Sequence, residues 1–331
     1  MDLRLLDSEP TEAERKAIDA VLGEQAASDG RVAHTGHAMR EQRHLLLPAL
    51  RAAQLRIGYV SEGALGYVCR RLDVPPAEGY GVATFYALLA LEPRPEHVLH
   101  VCDDLACRLA GVPEGGGEHV EKSPCLGLCE RAPAALLTIA GEEPQELQLA
   151  PYGAPTESVL PQFGSPDLRL LRRIGFVDPG SLESYRAAGG YEALVRALEL
   201  GPEGVVMEVA ASRLLGRGGA AFPTARKWEA VAKQPALPHY LICNADESEP
   251  GTFKDRVLME GDPFALVEAM TIAAYAAGCE QGFLYVRAEY PLAHERLENA
   301  LAQARAAGLL GQDVLGSGFS FDSELRIGAG A

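Results

Sequence analysis

Residues 97–129 read HVLHVCDDLACRLAGVPEGGGEHVEKSPCLGLC and contain four of the seven cysteines in a chain of 331 residues. The apolar segment HVLHVC predicts a short strand that runs into the first cysteine. Cys102 and Cys107 are separated by four residues, and Cys125 and Cys129 by three. Four cysteine thiolates, paired on two loops, can bind the two irons of a [2Fe–2S] cluster from opposite sides. The pattern therefore favours an iron–sulfur site with these four ligands.

Two other interpretations of the four cysteines stay open on spacing alone. A structural zinc site accepts C-x₂₋₄-C pairs, although x₂ is much commoner and both pairs here are wider. The cysteines would otherwise be buried core residues without a metal. In a reducing cytoplasm, clustered cysteines are more often metal ligands or catalytic groups than disulfides. Cys69, Cys243 and Cys279 stand singly in apolar runs, and we expect them to be buried small side chains.

The composition describes an acidic globular protein. Hydrophobic residues make up 47% of the chain and charged residues 23%, and the formal net charge is −16. This charge argues against binding to nucleic acids or anionic lipid, because both require clustered lysine and arginine. The start, MDLRLLDSEPTEAER, lacks the pattern of a secretory signal, and the apolar stretch AMTIAAYAAG is far short of the ~20 residues that span a bilayer. We predict a cytoplasmic protein without membrane insertion, free or peripheral on a membrane complex.

The pattern of helices and strands divides the chain into four segments. Residues 1–90 predict a helical bundle. Residues 91–150 contain the strand HVLHVC and a hairpin made by AALLTIAG and ELQLAP. Residues 151–167 are rich in Pro, Gly and Ser and predict a linker. Strands and helices alternate in residues 168–331, which predicts an α/β layered domain.

Three local signals mark helices in the first segment. Thr11 and Glu14 have the spacing of a capping box at the start of TEAERKAIDAVLGEQ. Ser61 predicts the start of a helix over SEGALGYVCRRL. Pro48 predicts a bend or break within HAMREQRHLLLPALRAAQLRIG.

A glycine loop lies at LLGRGGAAFPTARKW, where Gly216, Gly218 and Gly219 precede a predicted helix. Glycines let the backbone approach a ligand, and free N–H groups at a helix start favour a phosphate. The spacing also fits the dinucleotide fingerprint, but the segment before it reads as a helix and no acidic residue stands about twenty positions later. The P-loop pattern fails for want of Gly-Lys-Ser/Thr. A purely structural turn remains the alternative.

A second polar stretch, YLICNADESEPGTFKDR, predicts a strand that ends in Asn244, Asp246, Glu247 and Glu249. Open α/β sheets bind ligands at the carboxyl ends of their strands. Carboxylate and amide oxygens accept hydrogen bonds from the hydroxyls of ribityl and ribose chains. The sequence therefore favours a nucleotide or flavin site here, with a solvated acidic turn as the alternative.

These motifs resemble two subunits of one enzyme family. VPPAEGYGVATFYALL, HVLHVCDDLAC and PCLGLCERAPAALL resemble the thioredoxin-like [2Fe–2S] subunit of bacterial respiratory complex I. From LRLLRRIGFVDPGSLESYRAAGGYEALVRAL onward, the chain resembles the NADH-binding flavoprotein subunit of complex I, of NAD-reducing hydrogenases and of NAD-linked formate dehydrogenases. The resemblance implies an α/β protein in which a helical bundle and a thioredoxin-like [2Fe–2S] domain precede an incomplete α/β FMN/NADH-binding domain.

The resemblance also implies roles for individual residues. Four cysteines would hold the [2Fe–2S] cluster: Cys102, Cys107, Cys125 and Cys129. The FMN would be bound by the glycine loop and the strand end: Gly216, Arg217, Gly218, Gly219, Lys227, Asn244, Asp246 and Glu247. Phe222 and Glu249 would face the nicotinamide nucleotide, and no residue is nominated as a general acid, base or nucleophile.

The chain departs from the family at several positions. Leu215 stands where the family usually has Arg, Ala221 where it has Gly, and Ala230 where an aromatic residue often stacks on the nucleotide. The segment between the cysteine pairs is shorter than usual, so we expect a reduced thioredoxin-like layer. In the family, GAGA leads into an acidic segment, a small β-rich domain and a [4Fe–4S] motif, so we expect a split or truncated member.

The family chemistry sets the functional expectation. The resemblance implies hydride transfer between NADH and FMN, followed by single-electron transfer to iron–sulfur clusters. It also implies partner subunits of a formate dehydrogenase, hydrogenase or complex I type, and the fused domain order fits the first two better. The alternative is a [2Fe–2S] carrier or assembly module that needs another chain to complete its flavin site.

Overall fold

The computed structural model describes residues 8–23, 42–111, 119–150, 164–217 and 219–330. The first part contains helices α1 (Glu12–Leu22), α2 (Leu46–Ile57), α3 (Glu62–Leu72) and α4 (Pro76–Phe85). The next contains β1 (His97–Cys102), α5 (Leu105–Ala110), β2 (Val120–Ser123), β3 (Ala135–Ile139) and β4 (Gln145–Leu149). The last contains α6 (Leu182–Ala187), α7 (Glu192–Ala211), α8 (Thr224–Ala232), β5 (His239–Ala245), α9 (Lys254–Gly261), α10 (Pro263–Ala277), β6 (Cys279–Val286), α11 (Pro291–Ala306) and β7 (Asp322–Ile327). Gly218 and most of the predicted linker lie outside the described residues.

The helices of the N-terminal bundle begin where side chains cap them. The backbone N–H of Thr11 donates to the Glu14 carboxylate at 2.7 Å, and the N–H of Glu14 donates to the Thr11 hydroxyl at 3.3 Å, so the capping box is present. The Ser61 hydroxyl accepts from the N–H of Ala64 at 3.0 Å and starts α3. The bend or break predicted at Pro48 falls at the start of the helix and not within it, because a 3₁₀ turn over Arg43–Leu45 precedes α2. Pro48 lies in the first turn of α2, where an N–H has no partner within the helix.

A four-stranded sheet follows, in the order β2-β1-β3-β4. β1 pairs with β2 in parallel and with β3 antiparallel, and β3 and β4 form the predicted hairpin. We predicted neither β2 nor α5, since elements of four and six residues show too little periodicity to be recognised. β2 lies between the two cysteine pairs, in the segment that we expected to be reduced, whereas α5 contains Cys107 and extends into that segment.

The second sheet is parallel, in the order β5-β6-β7. Its core contains Phe264 from α10, Leu284 from β6 and Leu301 from α11, all almost fully buried. α10 carries the apolar stretch noted in the sequence, but no helix in the described ranges is long and apolar enough to cross a membrane. Because all three strands are parallel, their carboxyl ends lie at one edge, and the segments after β5 and β6 meet there.

The two sheets contact each other at this edge. Ala288 and Ile327 pack into the same apolar cluster as Cys102, Leu126 and Leu136. The side-chain amide of Gln148, in β4, donates to the backbone oxygen of Glu289 at 2.6 Å. The edge predicted to bind ligands therefore faces the domain that contains the four cysteines.

Candidate cluster and cofactor site

The four cysteines come together although they lie on three different local structures. Cys102 ends β1, Cys107 lies in α5, and Cys125 and Cys129 flank a loop that leads into a short 3₁₀ turn. Cys125 Sγ lies 3.4 Å from Cys129 Sγ, and Cys102 lies near enough to Cys107 and Cys125 to shift the pKa values of both thiols. The sulfur atoms thus form one continuous series of neighbours, in which Cys102 joins the two pairs.

Backbone groups converge on the same sulfur atoms. The N–H of Gly127 donates to Cys125 Sγ, and the N–H of Ala134 donates to Cys107 Sγ, each at 3.4 Å. The backbone of Leu126 also lies beside the sulfur of Cys102. The interaction with Cys102 is the main reason that the pKa values of Cys107 and Cys125 are lowered. Backbone donors around thiolates are a recurring means by which proteins tune iron–sulfur clusters.

This donor set fits a binuclear iron–sulfur cluster. The four thiols form one series of neighbours, three of them almost fully buried, and two backbone N–H groups donate to their sulfur atoms. The described residues contain no group of three or more His, Cys, Asp or Glu side chains arranged to hold a single metal ion. The zinc interpretation therefore gains no support from the geometry.

The loop between Cys125 and Cys129 requires a glycine. Gly127 has a φ of +68°, and a Cβ at this position would lie 2.3 Å from the Tyr290 hydroxyl oxygen. Tyr290 follows β6 and belongs to the second sheet's domain. The loop from Cys125 to Cys129, hereafter the cluster loop, thus lies so close to the α/β domain that no side chain at residue 127 fits between them.

Two buried arginines from the α/β domain hold the same loop. Arg256, in α9, donates from Nε to the backbone oxygen of Gly127 at 3.0 Å and pairs with Glu130. Arg287 donates through a terminal guanidinium nitrogen to the backbone oxygen of Cys125. Sequence reasoning missed both residues. Asn244 lies near the carboxyl end of β5, and Arg287 comes directly after β6. Open α/β sheets bind ligands at the carboxyl ends of their strands, so the reasoning that selected Asn244 would also have selected Arg287.

A cavity of about 1340 Å³ lies at the carboxyl end of β5. Its walls include Arg217 from the glycine loop, and Asn244, Glu247 and Glu249 from the strand end. Gly251 also lines the cavity, and its backbone lies close enough to the sulfur atoms of Cys125 and Cys129 to act on the pKa of both thiols. The volume exceeds that of an ordinary single-ligand pocket.

Asp246 faces a different space from its neighbours. It lines a second cavity, of about 1190 Å³, together with Asn244, Phe283 and Tyr285. Successive side chains of an extended segment point to opposite faces, so the neighbours Asp246 and Glu247 face different cavities. Asn244, near the strand end, borders both cavities. The structure thus brings Asn244, Glu247 and Glu249 to the larger cavity and leaves Asp246 at the smaller one.

Glu247 is buried and uses its carboxylate inside the protein. It accepts hydrogen bonds from the backbone N–H of Asp255 at 2.6 Å and of Arg256 at 3.0 Å, which caps the start of α9. The Tyr290 hydroxyl donates to the same carboxylate at 3.1 Å. Glu247 has a φ of +48°, an uncommon conformation for a residue with a side chain. It borders the cavity while its carboxylate fixes α9 and Tyr290.

The glycine loop forms a closed turn before α8. The N–H of Gly216 donates to the backbone oxygen of Phe222 at 2.9 Å, and the N–H of Thr224 donates to that of Leu214 at 3.0 Å. Gly219 has a φ of +90°, where a side chain would be strained. Phe222 is 55% exposed and Lys227 is also exposed. Of the described residues in this loop, Arg217 lines the larger cavity, and ligand contacts by the others stay predictions.

Comparison with known protein families gives two matches along the chain. Residues 32–119 match the thioredoxin-like [2Fe–2S] ferredoxin family, and residues 209–331 match the Nuo51 FMN-binding domain. The first match contains Cys102 and Cys107 and ends before Cys125 and Cys129. The second contains the glycine loop and both strand ends described above. These matches confirm the resemblance and the fold class inferred from the sequence.

Individual relatives match either most of the chain or about half of it. The alpha subunit of the NAD-reducing hydrogenase HoxS of Cupriavidus necator is 31% identical over 92% of this chain and 56% of its own length. The NADP-reducing hydrogenase subunit HndC of Solidesulfovibrio fructosivorans is 51% identical over 48% of this chain and 32% of its own. One component of the NADH-quinone oxidoreductase of Rhizobium meliloti is 50% identical over 49% of this chain and 39% of its own.

A solved structure is similar to this chain over most of its length. The crystal structure of an NAD⁺-reducing [NiFe]-hydrogenase in the air-oxidised state superimposes with a TM-score of 0.63 and 26% identity. The match covers 87% of this chain and 52% of that chain. Our chain therefore spans between about a third and just over half of the length of the relatives reported above.

Proposed function

We propose that this chain, whose two matched segments belong to the thioredoxin-like [2Fe–2S] ferredoxin and Nuo51 FMN-binding families, is an electron-transfer subunit of an NADH dehydrogenase (diaphorase) module. It would pass electrons between NAD(H), FMN and a [2Fe–2S] cluster. Its partners would be the other subunits of an NAD-linked hydrogenase, formate dehydrogenase or complex I. We assign it to the cytoplasm, because the four thiol ligands need a reducing compartment.

The observation that carries this proposal is the position of Gly251. The residue lines the larger cavity, and its backbone lies close enough to the sulfur atoms of Cys125 and Cys129 to act on the pKa of both thiols. A ligand in that cavity would therefore be separated from the cluster ligands by a single backbone segment. Electron transfer between the two sites requires such closeness, whereas a structural zinc site or an ordinary core does not.

The residues around the cavity divide into groups with different tasks. Arg217 and Lys254 supply positive charge for phosphate groups, and Asn244 and Glu249 offer oxygen acceptors for the hydroxyls of a ribityl or ribose chain. Glu247 positions α9, as its hydrogen bonds show. When bound, FMN exchanges a hydride with NAD(H) and single electrons with an iron–sulfur cluster. The protein binds, orients and shields these groups.

A direct test is the visible spectrum of the full chain purified without oxygen, with iron, sulfide and flavin assayed on the same sample. We expect cluster absorption, about two irons and two sulfides per chain, and FMN that is bleached by NADH. A matched pair of variants, Cys125→Ser and Cys69→Ser, separates a ligand from a buried single cysteine. Colourless wild-type protein that contains zinc would refute the proposal.

A second candidate function is suggested by the exposed face of the parallel sheet. Tyr240 and Ile242, on β5, are 55% and 60% exposed, and they line the smaller cavity with Phe283. Parallel sheets are normally covered on both faces. This face favours a [2Fe–2S] carrier that docks against another chain, which would complete the flavin site. Cluster absorption without bound FMN in the isolated chain, and FMN binding only after a partner subunit is added, would support this candidate.

A further inference from the structure

The contact between Arg287 and the Cys125 carbonyl places a positive charge from one domain against the cluster loop of the other. Arg287 is 1% exposed and lies directly after β6. One of its terminal nitrogens donates both to the backbone oxygen of Cys125 and, at 2.5 Å, to the carboxylate of Glu289. The second terminal nitrogen donates to the backbone oxygen of Glu247 at 2.9 Å. These hydrogen bonds fix the guanidinium in place.

The peptide group after Cys125 connects this charge to a cluster ligand. Its carbonyl accepts from Arg287, and its N–H, which belongs to Leu126, lies on the side of the sulfur of Cys102 and acts on it electrostatically. A hydrogen bond to the carbonyl oxygen polarises the peptide and strengthens donation by its N–H. One planar group therefore carries the influence of the guanidinium to the sulfur of Cys102.

We propose that Arg287 of the FMN-binding domain raises the reduction potential of the [2Fe–2S] cluster in the neighbouring domain, through the peptide that joins Cys125 to Leu126. The inference rests on the proposed function, because it requires the cluster to be present. A reduced cluster carries one more negative charge than an oxidised one. A nearby positive charge and a more strongly polarised N–H beside the sulfur both favour the reduced form.

Glu289 opposes this effect and gives the proposal a sign test. Its carboxylate pairs with Arg287 and is 2% exposed, so it acts in the same poorly solvated environment. A negative charge there disfavours the reduced cluster. Removing the positive partner should lower the potential, and removing the negative partner should raise it. A merely structural disturbance of the interface has no reason to produce opposite shifts.

The test uses the full chain, purified without oxygen, in a mediated redox titration followed by the electron paramagnetic resonance signal of the reduced cluster. Arg287→Gln should lower the ratio of reduced to oxidised cluster at least tenfold at the wild-type midpoint, which is about 59 mV for a one-electron couple. Glu289→Gln should shift the midpoint upward. Arg305→Gln is the matched control, because Arg305 pairs with Asp322 at the amino end of β7.

Each outcome decides the question. Opposite shifts in Arg287→Gln and Glu289→Gln, with Arg305→Gln unchanged, would establish the proposal. Unchanged midpoints, or shifts in the same direction, would overturn it. If Arg287→Gln fails to assemble a cluster, Glu289→Gln decides alone, since only a rise in midpoint agrees with the proposal. Wild-type protein without iron and sulfide would contradict the proposed function instead, so the two failures are distinguishable.

Discussion

The hydroxyl of Tyr290 donates a hydrogen bond of 3.1 Å to the carboxylate of Glu247. This contact joins the segment after β6 to the segment after β5, at the edge where the cluster loop packs. The same hydroxyl is the atom that a side chain at Gly127 would meet. One tyrosine therefore sets the spacing between the cofactor cavity, the start of α9 and the loop with two of the four cysteines.

Replacing Gly127 should disrupt the cluster loop. Gly127→Ala puts a Cβ 2.3 Å from the Tyr290 hydroxyl at a φ of +68°, so the loop must move. We expect a destabilisation of about 2 to 4 kcal/mol and loss of most of the bound iron. Thermal unfolding and iron and sulfide assays on the same samples measure both effects.

Gly111→Ala is the matched control for this change. Gly111 follows α5 and has a φ of +87°, but a Cβ there meets no atom within 4 Å. Gly111→Ala therefore measures the cost of backbone strain alone, about 1 to 2 kcal/mol, without a clash such as the one with Tyr290. Equal loss of iron in the two variants would contradict the importance of the contact with Tyr290.

Arg217 should contribute to flavin affinity. It is the described residue of the glycine loop that lines the larger cavity. A charge-assisted hydrogen bond to phosphate is worth about 1.5 to 3 kcal/mol, so Arg217→Gln should weaken FMN binding by roughly ten- to a hundredfold. Quenching of FMN fluorescence on titration into flavin-free protein gives the dissociation constant. Arg213→Gln, an exposed arginine just before the loop, should bind FMN as the wild type does.

Single cysteines should behave differently from the four clustered ones. Burial raises the pKa of Cys69 to about 11, so its thiol should resist alkylation by iodoacetamide at pH 8. Cys69→Ser should retain the absorption of the cluster, whereas Cys102→Ser should lose it, because Cys102 joins the two pairs. Mass spectrometry of alkylated peptides and a visible spectrum give the two readouts. Loss of the cluster in both variants would argue against the assignment of ligands.

His294 should make the folded state sensitive to acid. Burial, and the nearby charge of Arg51, lower the pKa of His294 to about 3, and the ring hydrogen-bonds with the backbone oxygen of Arg287. An unfolded histidine titrates near 6.5. The contribution of the neutral His294 to folding stability is therefore complete above pH 6.5. It is lost as the pH falls toward 3, because only the unfolded chain gains a proton in this range.

The variant His294→Gln removes this proton uptake and can still donate to the same oxygen. Between pH 7 and pH 5, the unfolding free energy of the wild type should fall by about 2 kcal/mol more than that of the variant. Urea unfolding at pH 7, 6 and 5 measures the difference. Parallel curves for the two proteins would show that the pKa of His294 is not lowered in the folded state.

Local signals in the sequence predicted much of the fold and the position of the cluster. The capping box at Thr11 and the hairpin of β3 and β4 depend on neighbouring residues and are present. α7 is interrupted at Gly201, which has a φ of +74° and precedes Pro202, so the interruption coincides with two residues that disfavour helix. The spacing of the cysteines likewise identified residues that the fold brings into contact.

The sequence was a poor guide where distant segments meet. Arg287 and Cys125 are 162 residues apart, and nothing near either one signals the contact. Glu247 has the appearance of a ligand-binding acid in a polar turn, yet its carboxylate caps α9. That helix has only eight residues and begins after a Gly-Thr-Phe turn, so periodicity did not reveal it. Which acidic residue faces a cavity and which supports a helix is decided by packing.

The way in which the two arginines hold the cluster loop has a consequence for sequence variation. Arg256 and Arg287 bind the main-chain oxygens of Gly127 and Cys125, which every amino acid supplies. A homologous loop could therefore exchange Leu126 or Leu128 for another apolar residue of similar volume and still satisfy both arginines. The side chains at residues 126 and 128 can therefore vary, whereas we expect Gly127 and the two arginines to be conserved together.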